Sequence, residues 1–182
     1  MRIACARTWA TEAAGGSMPT LAAPRRMVNL ADVPVCDQHS PKGKFRLKRQ
    51  HVSLLLGGRK DTGPWGGGHP FDVERVTVPP GAANWPFHWH TAQWEFYWVM
   101  SGEGRVRTEG GTLRIAVGDC IVFAPHEGHQ ITNTGEADLV YLVIADNPPG
   151  DQGFLPESRK WHDRHTRTSY RMAETGFFAE EE

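Results

Sequence analysis

The sequence predicts an all-β protein, built as a sandwich or barrel of short strands. Short runs rich in β-branched and aromatic residues recur at near-regular spacing between residues 73 and 145. Gly, Pro and Asn separate these runs, as they do at turns between antiparallel strands. About eight such strands in one stretch indicate a two-sheet or closed β architecture. The pattern shows no internal repeat and no second domain.

The predicted strands follow one another with few long gaps. The first, residues 45–56, ends at the pair Gly57-Gly58, and a glycine-rich loop over residues 59–70 follows it. Such a loop usually lies at the rim of a domain. The later predicted strands are Val73–Val78, Phe87–Trp89, Trp94–Met100, Gly104–Thr108, Thr112–Ile115, Cys120–Phe123, His129–Asn133 and Leu139–Ala145. Asn147-Pro-Pro-Gly150 then breaks the pattern.

Three regions follow from this pattern: a flexible N-terminal extension at residues 1–40, the barrel at 41–147 and a C-terminal extension at 148–182. The N-terminal region is rich in Ala, Gly, Ser and Pro, which is a linker composition, and Met18 is an alternative start of translation. The C-terminal region is polar and offers at most a short helix. We expect it to pack on or near the barrel.

Charge and cysteine content narrow the possible partners. The net charge is −1, so no overall field attracts nucleic acid or an anionic membrane. No apolar run approaches the length of a transmembrane helix. The three cysteines, Cys5, Cys36 and Cys120, are far apart and suggest neither a disulfide framework nor a thiolate zinc site. We therefore expect a soluble, cytoplasmic protein.

The most informative motif is His88-Trp89-His90, followed by Glu95 and, on a later predicted strand, by His129. Side chains at positions i and i+2 of a strand project from the same face, so both imidazoles can reach one point. A carboxylate and a third imidazole from neighbouring strands would complete a set of four ligands. Imidazole and carboxylate are the ligands of Zn, Fe, Mn, Ni or Cu where thiolates are absent. The motif predicts one divalent transition metal.

These residues resemble the two sequence motifs of the cupin superfamily. The matching stretches are Gly81 with His88-x-His90-x4-Glu95-x6-Gly102, and Gly118-x6-Pro125-x2-Gly128-His129-x3-Asn133. The segment after the barrel is similar to the C-terminal extension of small single-domain cupins. The resemblance implies a double-stranded β-helix, which is a jelly-roll barrel, with the three histidines and the glutamate as metal ligands. It implies no single reaction, because cupins include isomerases, oxygenases, decarboxylases, lyases and pure binders.

Strand alternation assigns the neighbours of these ligands to two faces. The residues expected to point inward with His88 and His90 are Gln93, Glu95, Tyr97 and Val99. The residues expected to point outward are Trp89, Trp94, Phe96, Trp98 and Met100. Five large apolar side chains should not face water, so the N-terminal strand or a second subunit is expected to cover them. We predict a homodimer.

Three further residues, Tyr97, Gln93 and His126, are candidates for catalysis. Tyr97 and Gln93 face the predicted site, where each could orient a substrate or transfer a proton, and ordinary interior packing is the alternative. His126 could act as an acid or base, and the alternative is a solvated loop residue. Cys120 is expected to be a buried, inert thiol.

Three classes of function remain open, of which a metal-stabilised scaffold without a ligand is the least favoured because Tyr97 and Gln93 line the predicted interior. The first is a metal-dependent isomerase, decarboxylase or dioxygenase that acts on a small organic acid, a sugar derivative or an aromatic compound. The second is a protein that binds or senses a small molecule without catalysis. A general acid or base within reach of the open metal positions would favour the enzyme.

Overall fold

The computed structural model describes residues 26–63, 66–175 and 179, and most of their regular structure is β-strand. The strands are β1 (Val35–His39), β2 (Arg46–His51), β3 (Phe71–Val78), β4 (Trp89–His90), β5 (Glu95–Ser101), β6 (Glu103–Thr108), β7 (Gly111–Ala116), β8 (Cys120–Phe123), β9 (His129–Asn133), β10 (Leu139–Asp146), β11 (Gln152–Leu155), β12 (Lys160–Asp163) and β13 (Thr168–Tyr170). The helical elements include a 3-10 turn at Leu30–Asp32 and the single turn α1 (Val52–Leu55).

Antiparallel pairing joins these strands into facing sheets. One sheet has the order β1-β2-β3-β10-β5-β8. The other side is built from β7-β6-β9 and from β13-β12-β11-β4, which a bridge between His88 and His129 links. The core lies between the two sides, with Tyr97 and Tyr141 from the first and Val106 and Ile131 from the second. The predicted all-β fold is confirmed.

The strands predicted between residues 73 and 145 are present, with ends that differ by at most two residues. The first predicted strand is too long, because the chain leaves the sheet at His51 and forms α1. The hydroxyl of Ser53, in that turn, accepts a hydrogen bond from the backbone N–H of Val73, which fixes the turn against β3. The sequence pattern of residues 45–56 could not predict this hydrogen bond, because it forms with a distant segment of the chain.

The C-terminal extension differs from the expected short helix, because it forms the strands β11, β12 and β13. β11 pairs with β4, opposing Gly153 to His90 and Phe154 to Trp89. The ring of Trp89 packs against Phe154 and Trp161, with ring centroids 5.0 and 5.5 Å apart. The expectation that Trp89 belongs to an outward aromatic surface is therefore wrong, since the extension covers it.

The N-terminal segment contributes β1, which pairs with β2 at the edge of the six-stranded sheet. β1 thus lengthens the sheet and does not cover its outer face. It is therefore not the N-terminal strand that was expected to cover that face. Residues 1–25, which include Cys5 and the alternative start at Met18, lie outside the described residues. Within residues 26–63 and 66–175, no helix is long and apolar enough to span a membrane.

The two described cysteines differ from the sequence expectation. Cys120 is an exposed, free thiol because it lies opposite Trp98 on the outer face of the six-stranded sheet. Cys36 is buried in β1 and carries a disulfide bond, which the wide spacing of the cysteines does not suggest. Its partner lies outside the described residues.

Candidate metal centre

Neighbouring strands bring the predicted ligands to one place inside the barrel. His88 and His90 come from the segment around β4, Glu95 begins β5, and His129 begins β9. The ligand atoms of His88, His90 and Glu95 all lie within 4.8 Å of one another. His129 joins them through its Nε2, which is 2.9 Å from Glu95 Oε2. Inward alternation along β5 is confirmed, because Gln93, Tyr97 and Val99 are buried and their neighbours are exposed.

All three imidazoles are held by their Nδ1 atoms. The Nδ1 of His88 donates to the carbonyl of Pro86 at 2.9 Å, and that of His129 donates to the carbonyl of Glu127 at 3.1 Å. The Nδ1 of His90 lies 2.7 Å from Asp151 Oδ2. Carbonyl and carboxylate oxygens accept, so these contacts place a proton on each Nδ1 and leave Nε2 as the atom that can bind a metal once it carries no proton. Such anchoring is typical of histidines that bind metals.

Two donor distances at Glu95 are close to those of ligands that share a metal ion. The Nε2 atoms of His129 and His90 lie 2.9 and 3.7 Å from Glu95 Oε2. Two donors that are each about 2.1 Å from one metal, at octahedral or tetrahedral angles, are roughly 3.0 to 3.4 Å apart. His129 is not among the side chains whose donor atoms all lie within 4.8 Å of one another, so the four side chains would have to close up to share one ion.

Electrostatics favours the deprotonated donors that a metal requires. Burial, reinforced by the neighbouring imidazoles, lowers the pKa of His88 from 6.5 to about 3. Burial would raise the pKa of Glu95, but the charges of the surrounding histidines and the hydrogen bond from His129 hold it well below its ordinary value. At neutral pH His88 is therefore a neutral donor and Glu95 an anionic one.

A carboxylate beyond the predicted ligands fixes His90. The side chain of Asp151 is almost fully buried, and its Oδ2 accepts the hydrogen bond from His90. Its Oδ1 accepts bonds from the backbone N–H groups of Ala92 and Gln93 at 2.9 and 3.2 Å. Burial acts to raise the pKa of Asp151, but the hydrogen bond and charge of His90 hold it far below its ordinary value. Asp151 is thus an anion that orients an imidazole.

Arg164, in the turn between β12 and β13, completes this arrangement. Its Nη1 donates to Asp151 Oδ2 at 3.1 Å and also to Gln93 Oε1, and its Nε lies 3.0 Å from Asp61 Oδ1. Sequence reasoning missed Asp151 and Arg164. The one available signal was the Asp that directly follows the Pro-Pro-Gly break, where the chain returns to the barrel.

The three candidates for catalysis occupy different places. The hydroxyl of Tyr97 is buried among the ligands, donates to Glu95 Oε2 at 3.0 Å and lies 3.2 Å from His129 Nε2. The amide of Gln93 is bound at both ends, to the carbonyl of Asp146 and to Arg164. The exposed ring of His126 packs on Trp89, outside the ligand cluster, with ring centroids 4.8 Å apart.

Gly128 is required where the chain enters the centre. A Cβ at this position would lie 2.6 Å from the ring of Phe87 and closer still to the carboxylate of Glu109. Its backbone N–H donates to that carboxylate at 2.9 Å. Only glycine permits this close approach, which sets His129 opposite His88.

Comparisons with known proteins find similarity to cupins. Residues 74–145 match the family described as a cupin domain. The chain is 34% identical over 70 residues to the oxalate-binding protein of Thermotoga maritima, a match that covers 38% of this chain and 57% of that protein. The chain thus spans little more than half the length of this relative.

Solved structures share the fold at low sequence identity. A sugar phosphate isomerase from a cupin superfamily of Silicibacter pomeroyi superposes with a TM-score of 0.66 and 21% identity, over 84% of this chain and 97% of that one. A predicted oxalate decarboxylase of Thermotoga maritima gives 0.53 and 23%, over 66% and 98%. At these identities the likeness shows the fold alone.

Proposed function

We propose that this chain binds one divalent transition metal through His88, His90, Glu95 and His129, because residues 74–145 match a cupin domain and the donor atoms of three of these side chains are clustered. The observation that carries the proposal is that all three imidazoles are tied back through Nδ1 and present Nε2 beside one carboxylate. Zn, Fe, Mn, Ni and Cu all accept this donor set, so the choice among them is left to experiment.

We further propose that the centre belongs to a metal-dependent enzyme that acts on a small organic molecule. A bound metal would polarise an oxygen of that molecule, which is the chemistry of isomerase, decarboxylase and dioxygenase reactions. Tyr97 would then donate a hydrogen bond at the metal, because its hydroxyl already lies among the ligand atoms. Organic acids and sugar derivatives are the favoured substrates, in keeping with the names of the oxalate-binding and sugar phosphate isomerase relatives.

Binding without catalysis is the second candidate, and one observation favours it. Burial, together with the negative charge of Glu95, raises the pKa of Tyr97 well above 10, so this phenol keeps its proton at neutral pH. A phenol that holds its proton this firmly does not serve as a general base, so Tyr97 would orient a ligand through its hydrogen bond. The relative named as an oxalate-binding protein fits this alternative.

Turnover by defined metal forms of the protein separates the two functions. The protein should be purified without oxygen, analysed for metal and then loaded separately with Mn, Fe or Zn. Each form is assayed with oxalate for carbon dioxide release, with an aldose phosphate for isomerisation, and with aromatic diols for oxygen uptake. Metal-dependent turnover that Tyr97→Phe lowers while metal content stays constant supports the enzyme. Tight binding without turnover supports the binder, and a wild type that takes up no metal contradicts both.

We also propose that the protein is a homodimer. Trp94, Phe96, Trp98 and Met100 line the outer face of β5 and are between 37% and 51% exposed. Val122 and Ile144, which lie opposite Phe96 on the two neighbouring strands, extend this surface. A continuous apolar surface of this kind is normally covered by a partner, and a second copy is the simplest one.

A cytoplasmic location and the absence of nucleic-acid partners are also part of the proposal. The nearly balanced charge supports the second point, because a net charge of −1 gives no overall positive field toward phosphates. Cell fractionation with an antibody to the protein tests the location. The disulfide at Cys36 makes the redox state of the purified protein a useful companion measurement.

A further inference from the structure

The loop segment that follows α1, residues 57–63, reaches the support of His90 through one carboxylate. The Oδ1 of Asp61, in this segment, lies 3.0 Å from the Nε of Arg164. The same guanidinium donates through Nη1 to Oδ2 of Asp151 at 3.1 Å, and that oxygen lies 2.7 Å from Nδ1 of His90. Ion pairs and hydrogen bonds therefore connect the loop segment to a proposed metal ligand.

This connection is largely shielded from water. The side chains of Asp61 and Arg164 are 15% and 19% exposed, and that of Asp151 is 1% exposed. An exposed ion pair contributes little, whereas removing one partner of a buried pair leaves a charge uncompensated. Within the described residues, Asp61 and Asp151 are the two anions that pair with Arg164, and Gln93 is a neutral partner. The position of the guanidinium thus depends on both carboxylates.

The backbone of Asp61 is held in a left-handed conformation, with a φ of 58°, which is uncommon for a residue other than glycine. The buried side chain of Asn147 fixes it there, because its Oδ1 accepts from the backbone N–H of Asp61 at 2.6 Å. The Nδ2 of Asn147 donates to the carbonyls of Arg59 and His69 at 2.7 and 3.1 Å. Such a conformation persists where the surroundings impose it. Here it sets the Asp61 carboxylate beside Arg164.

Oδ2 of Asp151 has two competing donors. The Nδ1 of His90 and the Nη1 of Arg164 both lie within hydrogen-bond distance of it, and these two nitrogens are 3.4 Å apart. A guanidinium that moved fully onto Asp151 would therefore crowd the imidazole. Asp61 holds the guanidinium by its Nε, which keeps Oδ2 available to orient His90.

We propose that Asp61 is a positioning residue of the metal centre, which acts on His90 through Arg164 and Asp151. Coupling between two sites is reciprocal, so a metal at His90 stabilises the docked loop segment as strongly as the docked segment stabilises the metal. This inference rests on the proposed metal centre and adds that the order of residues 57–63 sets part of its affinity.

Zinc affinity and hydrogen exchange test the inference together. Asp61→Asn keeps the shape and removes the charge, so the zinc dissociation constant should rise roughly threefold to tenfold, less than for a direct partner of the imidazole. In the wild type, zinc should slow amide exchange by local opening in residues 57–63 by a similar factor, and Asp61→Asn should lose that slowing. Asp37→Asn, an exposed carboxylate of β1, is the control and should change neither measurement.

A double mutant tests the route of the coupling. If Asp61 acts through Arg164, then Asp61→Asn should leave zinc affinity unchanged in an Arg164→Met background. An equal loss of affinity in both backgrounds would show that Asp61 acts on the metal by another route, which overturns the inference.

Two further results overturn the inference, and they differ from each other. If Asp61→Asn binds zinc as the wild type does, Asp61 is only a structural ion partner and the metal centre stands. If the wild type holds no metal, the proposed function fails and this inference fails with it. Should Asp61→Asn not fold, exchange in the wild type decides. Zinc should then slow residues 57–63 more than residues 40–44, the turn between β1 and β2, and equal slowing overturns the inference.

Discussion

The interior of the barrel and the outer face of its six-stranded sheet meet at one strand, β5, yet they have opposite composition. The interior face buries Glu95 and Tyr97 among histidines, whereas the outer face exposes Trp98 and its apolar neighbours. Burial of polar groups and exposure of apolar groups are both costly in a monomer. We propose that a partner offsets each cost: a metal and a ligand inside, and a second copy outside.

Removing a metal ligand should have the largest effect on the interior. His90→Ala removes the imidazole that is a proposed metal ligand and that Asp151 holds in place. We therefore expect metal content to fall from about one ion per chain to nearly none. Elemental analysis of the purified protein measures it. His126→Ala is the control, because this exposed ring packs on Trp89 and lies outside the cluster. A His90→Ala protein that keeps a full metal complement would show that the interior site is elsewhere.

A charge on the outer face should have the next largest effect. Trp98→Glu places a carboxylate at the centre of the apolar surface, and its desolvation should convert the dimer to a monomer. Size-exclusion chromatography with light scattering measures the mass, and circular dichroism shows whether the variant is folded. Leu113→Glu, at an exposed position of β7 on the other side of the barrel, should remain dimeric. A monomeric wild type would refute the interpretation of the outer face.

Weakening the support of His90 should have a graded effect. Asp151→Asn keeps the shape but removes the charge that orients the imidazole, so metal affinity should fall by about 10- to 100-fold. Arg164→Met should cost less, because Arg164 acts through Asp151. Competition with a chromophoric chelator gives the affinities, and Glu157→Gln, an exposed carboxylate, is the control. Equal metal affinities in the wild type and the three variants would show that only the residues that bind the metal directly determine its affinity.

The smallest effect is a pH dependence of the metal-free protein. Because the pKa of His88 is about 3 in the folded chain and 6.5 ordinarily, the unfolded state binds more protons between these values. Stability is therefore complete above pH 6.5 and falls as the pH is lowered, by up to ~1.4 kcal/mol per pH unit for this group. His51, whose pKa is also lowered by burial, adds a slope of the same sign.

Urea unfolding between pH 7 and 5 measures this slope. The lowered carboxyl pKa values of Glu74 and Glu95 act only below their ordinary value of 4.5, so this window isolates the histidines. His88→Asn should flatten the slope. An unchanged slope would mean that His88 is not the buried neutral group described above.

Local patterns predicted the strands from β3 to β10 and both faces of β5, because alternation and turn residues act over a few positions. The same reasoning could not predict Asp151 and Arg164, which meet His90 across 61 and 74 residues of chain. It also assigned Trp89 to the outer surface. Alternation predicts the face of the strand on which a side chain lies, but not which other segment of the chain packs against that face. The strands that cover Trp89 are short and carry charged residues, so their pattern is weak.

The distance in sequence between His90 and Asp151 has a consequence for biosynthesis. A ribosome completes both imidazoles of the His88-Trp89-His90 motif well before it adds the carboxylate that orients His90, and β4 has no partner strand until β11 follows. Contacts this far apart form late, since the intervening chain must first be closed into a loop. Tight metal capture is therefore expected only after translation has passed Arg164, which makes the ion a marker of a finished barrel.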